Sequence, residues 1–294
     1  MTPAPPFVLV YGPSGVGKTT DSLLSFPAGL FAAAPGALDS AESVGGFRPN
    51  GSVHEVRTIE DAIQLIEIEA KKPPAKRARS LVVDDFSFLA QESESHWRKR
   101  LSGYKMWEKL RSLGLEFRTS ARYAGMAVIL NCWEQAPKRR DDGTAIRGGP
   151  MVPGRLPEQL PAMANMVLRA GTDNLRKPWS GVYRCRLQSD YVMKDRYDVA
   201  TLGNGCVPMN LRELLRRVGF TYPRLWEWQE PVVTEIADKL GELDAQHDAT
   251  VLNHYYGVLT SKGIDPRHAR WTCRDGMDRA HLERAFHARN QHFI

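Results

Sequence analysis

Short apolar runs alternate with amphipathic stretches over the first two-thirds of the chain, a rhythm that predicts buried strands between helices. Strands are expected at Phe7–Tyr11 (FVLVY), Leu30–Ala34, Ser52–Val56, Leu81–Val83, Met126–Leu130 and Met166–Arg169. Runs this apolar, with no polar alternation, suit parallel strands covered on both faces. Residues 182–188 instead alternate Tyr183, Cys185 and Leu187 with Arg184, Arg186 and Gln188, as a half-buried strand does. A helix is expected over 58–71. Thr58 and Asp61 form a capping-box start, Ile59, Ile63, Ile66 and Ala70 share one face, and Pro73 and Pro74 end it. A longer helix, 103–124, would bury Tyr104, Trp107, Leu110, Gly114, Phe117 and Ala121 and expose Lys105, Lys109, Arg111, Arg118 and Arg122. Pro157 opens a short helix. The fold class is therefore α/β with a mostly parallel central sheet.

Two regions depart from this rhythm. Residues 134–155 (EQAPKRRDDGTAIRGGPMVPGR) carry Gly, Pro and charge without periodicity, as a long functional loop does. Beyond about residue 205 the pattern turns helical, so we expect an α/β domain over 1–205 and a smaller helical region over 206–294.

Composition narrows the class without choosing a function. The 294 residues are 42 % apolar, enough for a sizeable core, and the net charge of +6 permits nucleic-acid binding without arguing for it. No run is long enough to span a bilayer, the first residues lack the features of a signal peptide, and the four cysteines are far apart. A cytoplasmic protein with reduced thiols and no membrane partner is expected (host cytoplasm, if the gene is a phage's).

The strongest chemical signal is Gly12-Pro13-Ser14-Gly15-Val16-Gly17-Lys18-Thr19, followed by Thr20. It satisfies GxxxxGK[ST] between a predicted strand and a predicted helix. Glycines let backbone N–H groups turn inward around phosphates, and the helix N-terminus adds its positive end. Lys18 then reaches the β- and γ-phosphates, and the Thr19 hydroxyl binds Mg²⁺. The expected cofactors are ATP and Mg²⁺.

Asp84, at the end of RSLVVDD, emerges from a buried strand as a second Mg²⁺ ligand would. Asp85 beside it either polarises the attacking water or has a solvated or capping role. Asn131 ends its strand as a γ-phosphate sensor or as a turn-forming residue.

GPSGVGKTT, RSLVVDD, AVILNCWEQAP, PGRLPEQLPAMANMVLRA and YVMKDRY, in this order, resemble the RecA/RadA-type ATPase core, with a particular likeness to short phage recombinases that anneal single strands. The resemblance covers about residues 5 to 200. It implies a RecA-like fold and an ATPase that assembles as a ring or filament of identical subunits on single-stranded DNA, with a single-strand-binding protein as a further partner. It also implies that 134–150 is the mobile DNA-binding loop, and that Lys194 and Arg196 enter a neighbour's nucleotide site. The glutamate that activates water in such ATPases would end the second strand, but here that strand ends in alanines. Slow turnover, or use of Glu42 or Asp85, follows.

Apart from the resemblance, Lys138, Arg139, Arg140, Arg147 and Arg155 on a Gly-containing segment suit a phosphate backbone, and Trp133 offers a stacking face. A solvated charged loop and a core tryptophan are the plainer readings. The rival function is a P-loop ATPase that serves in assembly, for example of a phage particle, without acting on DNA.

Overall fold

The computed structural model describes residues 5–26, 29–39, 52–172, 181–185, 190–197, 206–209, 211, 214 and 215. The chain divides into two compact units: Met1–Leu38 with Pro49–Thr221, and Asp39–Arg48 with Tyr222–Ile294. All elements below belong to the first. Most of the region expected to be helical beyond about residue 205, and residues 186–188 of the expected strand 182–188, lie outside the described residues.

In chain order the elements are β1 (Phe7–Gly12), α1 (Lys18–Ser25), β2 (Leu30–Ala33), β3 (Val53–Glu55), α2 (Ile59–Ala70), β4 (Ser80–Asp84), α3 (Phe86–Arg98) and α4 (Tyr104–Tyr123). They continue with β5 (Ala127–Gln135), β6 (Lys138–Arg139), β7 (Ala145–Ile146), β8 (Gly149–Pro150), α5 (Leu156–Met163), β9 (Met166–Thr172), β10 (Gly181–Arg184), β11 (Lys194–Asp195) and β12 (Cys206–Pro208). The main sheet runs β12-β10-β9-β1-β5-β4-β2-β3. Its six strands from β9 to β3 are parallel, and β10 turns antiparallel at the β9 edge. The α/β class with a mostly parallel sheet is thus observed, and β5 lies between β1, which leads into the glycine-rich loop, and the acid-bearing strand β4.

Alternate strand residues divide between two faces. Phe7, Leu9, Tyr11, Leu81, Val83, Val128 and Leu130 join Ile59, Ile66, Leu89, Leu110, Phe117 and Leu160 in one core beneath α2 to α5. Val8, Val10, Val82 and Ile129 are buried on the opposite face, where Ser22 of α1 reaches Asn131. The capping box forms as expected: Asp61 N donates to Thr58 Oγ1 at 3.2 Å, and Asp61 Oδ2 accepts from Thr58 N at 2.9 Å.

Three points need correction. Helix α3 is absent from the sequence pattern, because its buried side is a narrow set of Phe86, Ser87, Leu89, Ala90 and Ser93 that leaves no strong apolar stripe. Tyr104 and Trp107 are exposed, by 73 % and 38 %; Met106 and Leu113 join Leu110, Gly114, Phe117 and Ala121 on the buried face of α4. Strand β5 continues past Asn131 to Gln135 because β8 pairs with its end, and β6 with β7 forms a hairpin, so 134–155 is not patternless. β12 pairs with β10, so the sheet continues to Pro208, and the first unit ends at Thr221.

Candidate nucleotide site

The loop from Gly12 to Gly17 leaves the carboxyl end of β1 and opens α1. A Cβ at Gly12 would lie 2.5 Å from Ala170 O, so a glycine is needed for β1 to run this close to β9. Gly17, at the N-cap, has φ 93°, a left-handed conformation that side chains disfavour. No side chain caps α1, so its first N–H groups are available to an anion.

Lys18 is buried. Its Nζ donates to Gly12 O at 2.9 Å and to Pro13 O at 2.8 Å. Burial lowers its pKa, and the neighbouring Asp84 and Asp85 carboxylates act against that fall. Thr19 follows in the first turn of α1. The side chain of Thr20 lies outside the described residues, as does Glu42.

Asp84 ends β4 and is buried. Burial pushes its pKa up, while Thr19, Asn131 and Lys18 beside it pull it down. Its Oδ2 is buried without a hydrogen-bond partner. A buried, unpartnered carboxylate oxygen next to the Thr19 hydroxyl is a donor set for a hard cation, so the residues fit Mg²⁺. Thr19 and Asp84 would hold the ion beside the phosphates of a bound nucleotide, where it would neutralise charge. Among the described residues no cluster of three His, Cys, Asp or Glu side chains offers another metal centre.

Asp85 is the N-cap of α3, its Oδ1 accepting from Ser87 N at 2.6 Å. Burial first, and Asp84 second, push its pKa up to about 7. The helix-capping alternative is therefore what this side chain does in the structure. Asn131 is fully buried in β5, and its Nδ2 donates to Ser22 Oγ at 3.0 Å. This excludes a turn and leaves a fixed amide beside Asp84. Ser22, four residues after Lys18, is legible in the sequence only as the next position on the same helix face. At the end of β2, Ala33 and Ala34 are buried, and Asp39 further on is exposed.

The β6–β7 hairpin grows from the end of β5 beyond Asn131. Arg140 N donates to Thr144 O and Gly143 N to Arg140 O, both at 2.9 Å, closing its turn. Lys138, Arg139, Arg140 and Arg147 are exposed, and Trp133 is 37 % exposed at its base. Lys194 lies elsewhere, in β11, with Nζ donating to Pro161 O at 2.9 Å and Ala162 O at 3.1 Å; Arg196 is exposed.

No protein-family model and no curated protein matches this chain. Similar solved structures include the RadB recombinase, at 18 % identity over 65 % of this chain and 86 % of that one, with a TM-score of 0.38. A KaiC-like protein of the hyperthermophilic archaeon Pyrococcus horikoshii OT3 is 17 % identical over 70 % of this chain and 90 % of that one, with a TM-score of 0.39. Such distant likenesses carry no functional assignment. No helix among the described residues is long and apolar enough to cross a membrane.

Proposed function

We propose that this protein is an ATPase of DNA recombination. It binds Mg-ATP between subunits, assembles with copies of itself on single-stranded DNA and promotes annealing of complementary strands. The observation that carries the nucleotide reading is the meeting of Lys18 and Thr19, which follow β1, with Asp84 at the end of β4 and Asn131 midway along β5. The DNA reading is supported by the exposed Lys138, Arg139 and Arg140, on a hairpin continuous with the strand that holds Asn131. Nucleotide sensed at Asn131 and a polyanion on the hairpin then act on the two ends of one short segment.

With β2 ending in alanines, Asp85 is, after Asp84, the acid that acts most strongly on Lys18 among the described residues. It activates water slowly in this reading, because it also caps α3. Arg196, from a neighbouring subunit, offsets the charge that develops on the transferred phosphoryl group. A single-strand-binding protein supplies the coated DNA.

The test is size-exclusion behaviour with Mg-ATP, with and without single-stranded DNA, alongside ATP binding by Lys18→Ala. Assembly that needs ATP and grows with DNA is expected, with ATP binding abolished in the variant. Assembly indifferent to DNA would favour a purely structural ATPase.

A further inference from the structure

Helix α1 meets the sheet through polar side chains. Among its described residues, Lys18, Asp21, Ser22 and Ser25 are buried. An apolar face holds a helix without direction, whereas hydrogen bonds fix both its rotation and its slide along the sheet. On the β5 side of β1, Asn131 Nδ2 donates to Ser22 Oγ. On the β10 side the attachment is Asp21, whose carboxylate is 2 % exposed and would be costly there without donors. Tyr183 Oη of β10 and Leu211 N, at 3.1 Å, both donate to Asp21 Oδ2, and Ser25 Oγ donates to Oδ1 at 3.4 Å.

The register sets this attachment beside the P-loop. Tyr183 is the β10 partner of Ala170, and Ala170 follows Arg169, the β9 partner of Tyr11. Tyr183 therefore stands level with Gly12, the first residue of the loop. At the other end of the loop, Asp21 N donates to Gly17 O at 2.9 Å, so Asp21 also holds the N-cap from which α1 begins. Leu211 comes from the chain that leaves β12 at Pro208, and it is fully buried. One carboxylate thus joins the phosphate helix to β10 and to the segment that follows β12.

We propose that Asp21 is a positioning residue for the nucleotide. By binding Tyr183 and Leu211 it sets the rotation of α1, and so where Lys18 Nζ, the Thr19 hydroxyl and the first N–H groups of the helix meet phosphate. The inference rests on the reading of this loop as a nucleotide site, and it makes the affinity of that site depend on residues outside GxxxxGK[ST]. Linkage runs both ways: if the Asp21 attachment favours bound nucleotide, bound nucleotide strengthens the attachment.

The experiment measures Mg-ATP affinity of the full-length protein and of Tyr183→Phe, Asp21→Ala and Asp21→Asn, each well below its Tm. Tyr183→Phe removes one oxygen and keeps the ring, so it tests the idea even if Asp21→Ala fails to fold. Glu69→Ala is the control. Glu69 is a comparably buried carboxylate of α2, beyond the opposite face of the sheet, that accepts from Lys72 Nζ and Ala78 N, both at 2.6 Å. Affinity should fall about tenfold in Tyr183→Phe and Asp21→Ala, the size of one lost hydrogen bond to a charged group, and less in Asp21→Asn, whose amide oxygen keeps both donors. Glu69→Ala should lose stability at parental affinity. In the parent, Mg-ATP should slow amide exchange at Leu211 more than at Ala78. Parental affinity in Tyr183→Phe would overturn the proposal, as would an equal fall in Glu69→Ala or equal slowing at the two amides; each would leave Asp21 a residue of stability alone. Parental Mg-ATP binding by Lys18→Ala would instead remove the nucleotide site itself, and this inference with it.

Discussion

Arg169 of β9 grips Glu134 of β5 across the top of β1, Nε to Oε2 at 2.9 Å and Nη2 to Oε1 at 3.0 Å. Tyr11, the residue before the P-loop, is the β1 partner of both Arg169 and Cys132, so the pair spans β1 where the P-loop begins. The guanidinium also lies 3.7 Å from the centre of the Tyr191 ring. Tyr191 is tied in turn to the hairpin's base, where Gly148 N donates to Asp190 O at 2.8 Å and Val192 N to Gly148 O at 2.9 Å. The Glu134 side chain is only 11 % exposed and that of Arg169 20 %, so neither charge can turn fully to water.

Arg169→Ala should therefore destabilise the fold by about 2 kcal/mol, because it strands a largely buried carboxylate. Arg169→Lys should recover only part, having neither the second hydrogen bond nor the flat face for Tyr191. Chemical denaturation of Arg169→Ala, Glu134→Ala and the double variant measures the coupling. Additive losses would mean that the pair is screened by solvent.

The unpartnered Oδ2 of Asp84 predicts a split between stability and binding. Asp84→Asn keeps the shape and removes a charge that burial penalises, so thermal stability without ligand should equal or exceed the parent's. The rise in Tm on adding Mg-ATP should shrink markedly, because a carboxylate donor for the cation is gone. A full Mg-dependent rise in Asp84→Asn would remove Asp84 from the metal site.

How much of this is legible in the sequence differs by residue. Strand β1, with five consecutive apolar residues before a GxxxxGK[ST] loop, announces both its burial and its chemistry, and the Thr58–Asp61 cap is local enough to read directly. Trp107 misleads because its helical spacing is right. The first turn of α4 leaves it on the surface against Gly154, where a Cβ would lie 2.6 Å from its ring. Glu134 and Arg169 give no signal at all, since residues 35 apart meet only once β5 and β9 flank β1. The same holds for Lys194, whose carbonyl partners become visible only when β11 is laid beside β9.

Asp61 supplies a pH dependence. Burial would raise its pKa, but the N–H groups of Arg57 and Thr58 outweigh it and hold it below the ordinary aspartate value. A folded-state pKa lower than the unfolded one gives stability that is present above about pH 4 and disappears as pH falls through the folded value. Asp61→Ala should cost about 1 kcal/mol at pH 7, and the gap to the parent should close below about pH 4. Denaturant midpoints of both proteins between about pH 3 and pH 7 check this. A gap independent of pH would deny the carboxylate its capping role.

The hairpin's cations carry the last prediction. Lys138 and Arg139 occupy β6, Arg140 opens the turn, and all three are exposed without a carboxylate partner among the described residues. Their replacement together by Ala should leave the fold intact, since backbone bonds between β6 and β7 and across the turn hold the hairpin. Binding of ATP to the free protein should also survive, because the P-loop lies on a different segment. Affinity for single-stranded DNA should drop, and its dependence on salt should flatten. Every phosphate left without its cation reduces the magnitude of the log–log salt slope by about 0.7 on single strands, so three such phosphates predict a reduction of about 2. A titration of an oligonucleotide across a series of salt concentrations resolves a change of that size. A weaker affinity with an unchanged slope would mean that the hairpin acts through its shape or through Trp133 stacking, not through charge. An unchanged affinity and slope would leave the hairpin a solvated loop and the ATPase without this route to DNA.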